Sequence, residues 1–142
     1  MLKSGITVPT AGRGRRCVGI CLVSLMLAAF PPQAPAGEAD VIAVEISTEP
    51  SGETYRFDVT VEHADEGWDH YADRWDALDD AGAVLASRKL LHPHVDEQPF
   101  TRSLSGVSLP QGITHITIRA HDSVHGHGGK EMRVLVPELK RD

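Results

Sequence analysis

His92 and His94 stand two apart across Pro93 in LLHPHVDEQPF, residues 90–100, and Asp96 and Glu97 follow them directly. A second stretch, RAHDSVHGHGGK at residues 119–130, adds His121, His125 and His127 beside Asp122. Imidazole nitrogens without thiolates suit borderline-soft divalent ions such as Cu(II), Zn(II) or Ni(II), whereas Ca(II) and Mg(II) take oxygen donors. A carboxylate beside a metal-binding imidazole fixes its tautomer and raises its basicity. Proline fixes one backbone dihedral and restricts the residue before it, so His92-Pro93-His94 reads as a pre-organised half-site. The glycines after His125 and His127 permit tight backbone paths and equally describe an ordinary loop. Taken singly, each histidine is a solvated loop residue; a site exists only if the fold brings the two stretches together.

The elements that would do so are short strands. VIAVEIS (41–47) alternates and is stopped by the turn-rich TEPSGE. YRFDVTVEH (55–63) sets Tyr55, Phe57, Val59 and Val61 on one face and Arg56, Asp58, Thr60 and Glu62 on the other, the period of a half-buried strand. HYADRWDALDD (70–80) places Tyr71, Asp73, Trp75 and Ala77 on one side, and Asp79 to Gly82 turn it into AVLASRKLL (83–91) as a hairpin. FTRSLSGVSL (100–109), ITHITIRAH (113–121) and EMRVLVPEL (131–139) complete seven strands. No stretch of useful length has a helical period, so the expected class is an all-β antiparallel sandwich.

The spacing resembles the fibronectin type III and immunoglobulin-like families. In that resemblance YRFDVTVEH takes the place of strand B, Trp75 that of the buried aromatic of strand C, and ITIRAHDSVHGHGGKEMRVLV that of strand F, the F–G loop and strand G. It covers most of residues 41–137 and implies a fold without a function. Some copper-handling periplasmic proteins also use such a sandwich, with a histidine at the mature N-terminus. This chain has no histidine before His63, so any such resemblance stays at fold and compartment.

Successive antiparallel strands put every second connection at the same end. That end should gather residues 63–70, 92–98 and 121–130, and with them His63, His70, His92, His94, His121, His125 and His127, seven of the eight histidines. His115 falls within a strand, in line with Thr117 and Arg119 on its outward face. Asp65, Glu66, Asp69, Asp96, Glu97 and Asp122 lie on the same connections. The expected metal ligands are His92, His94 and His121, with His70, His125 or His127 completing the sphere.

Residues 1–36 read as an export leader. Lys3, Arg13, Arg15 and Arg16 precede the apolar run at 17–30, which is shorter than the roughly 20 residues that span a bilayer. Pro31, Pro32 and small residues up to Ala36 follow, placing cleavage near Ala36 and leaving residues 37–142 as one domain. The Arg15-Arg16 pair raises a twin-arginine route as an alternative to the general one. Cys21 has most of the apolar run after it, which argues against a lipid anchor. Removing the leader takes both cysteines and four basic residues, leaving ten basic against twenty acidic residues. That balance excludes a phosphate-backbone partner, so no nucleic acid is expected. After cleavage no membrane attachment is expected either, and the destination is the periplasm or the exterior.

The leading expectation is therefore an exported sandwich that binds copper or zinc in metal storage, delivery or sensing, without catalysis. A protein-interaction module is the alternative from another class, because loops on a rigid sandwich often contact partners. A metal-assisted enzyme is the third: ligands suffice, but no general base or substrate pocket is legible. No serine has a nucleophile-elbow context, and no catalytic or organic-cofactor residue is assigned.

Overall fold

A computed structural model describes residues 37–139; the expected leader, residues 1–36, and residues 140–142 lie outside the described residues. Seven strands form: β1 (Asp40–Thr48), β2 (Tyr55–Glu62), β3 (Ala72–Leu78), β4 (Val84–Lys89), β5 (Phe100–Val107), β6 (His115–Asp122) and β7 (Met132–Leu135). They make two antiparallel sheets, ordered β1-β2-β5 and β4-β3-β6-β7. In constant-type immunoglobulin domains the fourth strand joins the first sheet. Here β4 pairs with β3, dividing the strands three and four between the sheets.

Alternation built these strands as the sequence implies. On β2, Tyr55, Phe57, Val59 and Val61 are buried while Arg56 and Glu62 are exposed. On β6 the buried row is Ile116, Ile118 and Ala120, and it continues without a break into Asp122. Trp75 on β3 is fully buried opposite Ala120, a large side chain against a small one. Phe57 and Phe100 join it in a single core between the sheets. The β3–β4 hairpin closes on Asp79, whose carboxylate accepts the amides of Ala81 at 2.9 Å and Ala83 at 2.8 Å, with Gly82 at φ 82°.

One expected face is corrected. The β3–β6 register shifts between Ala72 and Arg74, so Ala72 and Trp75 both reach the core while Tyr71 and Asp73 leave the Trp75 face. A bulge inserts one extra residue and reverses the alternation on one side of it. Its consequence is that Asp73 becomes available to a histidine on β6.

The connections β2–β3, β4–β5 and β6–β7 meet at one end, although two of them lie between strands of different sheets. The His63 amide donates to Gln98 Oε1 at 3.0 Å, and the Ser123 amide donates to the Tyr71 carbonyl at 3.0 Å. The start of β1 closes the same end. Val41 donates to the Lys130 carbonyl at 2.8 Å, and the Lys130 amide donates to Asp40 Oδ1 at 2.6 Å. Gly129 lies so near Ala39 that a Cβ there would stand 2.1 Å from the Ala39 carbonyl oxygen.

Candidate metal centre

Two inward-facing rows end in polar residues. The row Tyr55-Phe57-Val59-Val61 of β2 extends by one more step to His63, and the row Ile116-Ile118-Ala120 of β6 extends to Asp122. Both are buried, and His70 from the β2–β3 connection is buried beside them. One donor atom from each of His63, His70 and Asp122 lies within 4.8 Å of the others, so the group could hold a metal ion.

Asp122 is the centre of this group. Its Oδ1 accepts the amides of Val124 at 2.9 Å and His125 at 2.7 Å, which fixes the reversal of the chain toward Gly126, at φ 78°. The same oxygen lies 3.1 Å from His70 Nε2 and 3.2 Å from His125 Nδ1. Oδ2 is buried and has no hydrogen-bond partner among the described residues. Burial opposes the charge of Asp122, but the two amides and the neighbouring histidines outweigh it and hold the carboxyl below its ordinary value. A buried carboxylate oxygen without a donor is costly, and a bound cation is one way to satisfy it.

His70 and His125 bracket that carboxylate. His70 Nδ1 is 3.4 Å from Glu66 Oε2, and its ring meets His125 edge-on with centroids 4.9 Å apart. His125 is the open side of the group, with 39 % of its side chain exposed.

His63 is held differently. Its Nδ1 is 2.5 Å from Asp65 Oδ1 and its Nε2 is 2.9 Å from the Gly37 carbonyl. Both partners are acceptors, so the ring is doubly protonated in this arrangement. Burial works against that charge, yet the bond and charge of Asp65 and the Gly37 carbonyl prevail and raise the His63 pKa. Asp65 likewise overcomes burial through His63 and the amides of His94 and Ala72, and its pKa falls. A metal ion at His63 must displace a proton, whereas Asp65 at Nδ1 already supplies the carboxylate partner that metal-binding imidazoles use.

The remaining expected ligands form two other groups. His94 is buried and stacks on Phe100, with centroids 3.8 Å apart and planes 13° from parallel. Burial, then the nearby Arg102 and His92, lowers its pKa. His92 is exposed, with its ring centroid 4.5 Å from that of His94. His121 and His127 pair on the outer face of the four-stranded sheet, centroids 4.8 Å apart. His121 Nδ1 is 2.6 Å from Asp73 Oδ1, and His127 Nδ1 donates to the Ala120 carbonyl at 2.9 Å. His127 Nε2 is 3.2 Å from Arg74 Nη2 and 3.4 Å from Asp76 Oδ2. Arg119 also flanks Asp76, so a divalent cation there would face two guanidinium groups.

Of the six expected ligands, His70 and His125 thus meet at Asp122, His92 and His94 pair with each other, and His121 pairs with His127. Parity explains one part of the division, the separation of His121 from Asp122. Consecutive strand residues face opposite ways, so His121 and Asp122 cannot share a face of β6. Extending each apolar alternation by one residue is the signal that points to His63 and to Asp122 as an inward donor.

No family model matches the chain, and no solved structure matches it. A relative from Halomicrobium mukohataei, described as "Putative lipoprotein", is 42 % identical over 97 residues, which is 68 % of this chain and 47 % of that protein. The chain therefore spans about half the length of the relative it matches.

Proposed function

We propose that the chain is an exported metal-handling protein that holds one divalent transition ion, zinc or copper, at His63, His70 and Asp122, with His125 closing the exposed side. The observation that supports this most directly is the fully buried Asp122 carboxylate, whose Oδ2 lacks a donor among the described residues and lies within a group of imidazoles. Three imidazoles and one carboxylate suit tetrahedral zinc, and with the same donors copper binds more tightly by the Irving–Williams order. Export fits both the basic and apolar start of the sequence and the relative's description as a lipoprotein. The test is equilibrium dialysis of the exported chain against Zn(II) and Cu(II), with elemental analysis. One tightly held equivalent, lost in His70→Ala, supports the reading; absence of that equivalent overturns it.

A protein-interaction role is the second reading, favoured by exposed apolar side chains on the same end. Trp68 is 68 % exposed, Leu91 69 %, Val95 53 % and Val124 58 %. They belong to the same three connections that hold the histidines. Cross-linking with and without metal tests this reading: a partner captured by the wild type and lost in Trp68→Ser supports it.

A further inference from the structure

His63, His70 and Asp122 are buried, so an ion must reach them either past His125, the exposed member of the group, or through a neighbouring connection. The β4–β5 connection offers such a second route. His94 has 1 % of its side chain exposed, and neither of its ring nitrogens has a hydrogen-bond partner among the described residues. Every other buried imidazole at this end has an oxygen within reach. Two unpartnered nitrogens on one buried ring are a polar deficit that stacking on Phe100 does not repair, because the ring face carries no hydrogen-bonding group.

His92 supplies the exposed half. Its Nδ1 lies 3.1 Å from the Pro93 carbonyl, an acceptor, so Nδ1 carries the proton and Nε2 keeps its lone pair. Pro93 stiffens the link between the two rings. Behind His94 stands Asp65, with Oδ2 2.6 Å from the His94 amide and 3.9 Å from His94 Nδ1. The other oxygen of that carboxylate holds His63, a member of the buried group. His92, His94 and Asp65 therefore lie in succession between the surface and His63, with Asp65 on the Nδ1 side of the His63 ring.

We propose that His92 and His94 form a second, weaker site for a divalent transition ion, which captures the ion at the surface and loads the buried group. Two imidazoles with water in the remaining positions bind more weakly than three imidazoles and a carboxylate, so the ion is passed inward. The loading step rests on the metal reading of the buried group; capture by His92 and His94 does not.

The probe is Cu(II), added to the exported chain and followed by calorimetry, by electron paramagnetic resonance and by stopped-flow absorbance. The wild type is expected to show two equivalents of different affinity with distinct spectra. His92→Ala, a change at an exposed side chain, should remove the weaker equivalent, keep the tighter one and slow its filling. His94→Phe should behave alike, with the stack on Phe100 retained. His70→Ala should lose the tighter equivalent and keep the weaker. Two equivalents persisting in His92→Ala overturn the second site, and an unchanged filling rate overturns the loading role. A weak equivalent without any tight one would instead refute the buried centre, and loading with it.

Discussion

The carboxylate of Asp65 accepts the backbone amide of His94 at 2.6 Å, joining the β2–β3 connection to the β4–β5 connection through one buried side chain. Its second oxygen holds the His63 ring and the Ala72 amide at 3.0 Å. Removing it strands a protonated ring and two amides at once. Asp65→Ala should therefore cost about 3–5 kcal/mol, the range for breaking a buried ion pair by deleting one partner. Chemical denaturation read by tryptophan fluorescence checks this; a loss below about 1 kcal/mol would mean that water replaces the carboxylate.

Stability of the metal-free chain should peak near the ordinary histidine value and fall on both sides. His63 has a raised folded pKa, so its contribution is complete below 6.5 and is lost as pH rises through the folded value. His94 has a lowered folded pKa, so its contribution is complete above 6.5 and is lost as pH falls through its folded value. Asp65 and Asp122, also lowered, lose theirs at still lower pH, below 3.8. Thermal unfolding across acid to alkaline buffers measures the profile. His63→Gln should flatten its alkaline side, and a profile identical to the wild type would contradict the charged-ring assignment.

Metal affinity should rise with pH, because the ion competes with a proton on His63. Asp122→Asn keeps an oxygen for the Val124 and His125 amides but removes the charge that faces the ion. It should weaken binding by roughly 100-fold or more, at the upper end of losses seen for partners of metal ligands, with the fold retained. Calorimetry at two pH values, with circular dichroism as the control on folding, separates the two effects.

Gly129→Ala should destabilise the chain even though only one methyl group is added. That methyl would meet the Ala39 carbonyl, a backbone atom fixed beside the start of β1. Gly128→Ala meets only the flexible side chain of Glu38 and should be milder. Comparing the two unfolding temperatures checks the ranking, and equal losses would contradict it.

Maturation is open to a direct measurement. Cleavage near Ala36 predicts an exported polypeptide beginning at about Gly37, with no cysteine and no lipid. An intact mass carrying an acyl modification on Cys17 or Cys21 would overturn that expectation and place the chain at a membrane, in line with the description of the Halomicrobium mukohataei relative.

The strands were legible because each exposes one face and buries the other, and the hairpin because Asp79 to Gly82 carry turn chemistry. The bulge at Ala72 to Arg74 was not, since an inserted residue leaves the local composition of a strand unchanged. The gathering of histidines at one end followed from strand parity. Their division into three groups depended on finer choices: the His94 ring turns onto Phe100, and Asp73 is released by the bulge to meet His121. His63 and Asp122 were within reach of the same alternation, one step beyond the last apolar residue of each row.

Those two residues belong to opposite walls of the molecule. His63 continues a strand of the three-stranded sheet and Asp122 ends a strand of the four-stranded one, so the interval between them is gauged by the gap between the sheets. Phe57 and Trp75, fully buried in that gap, act as its spacers. Trimming either would retune the donor interval from within the core, leaving every donor residue in place.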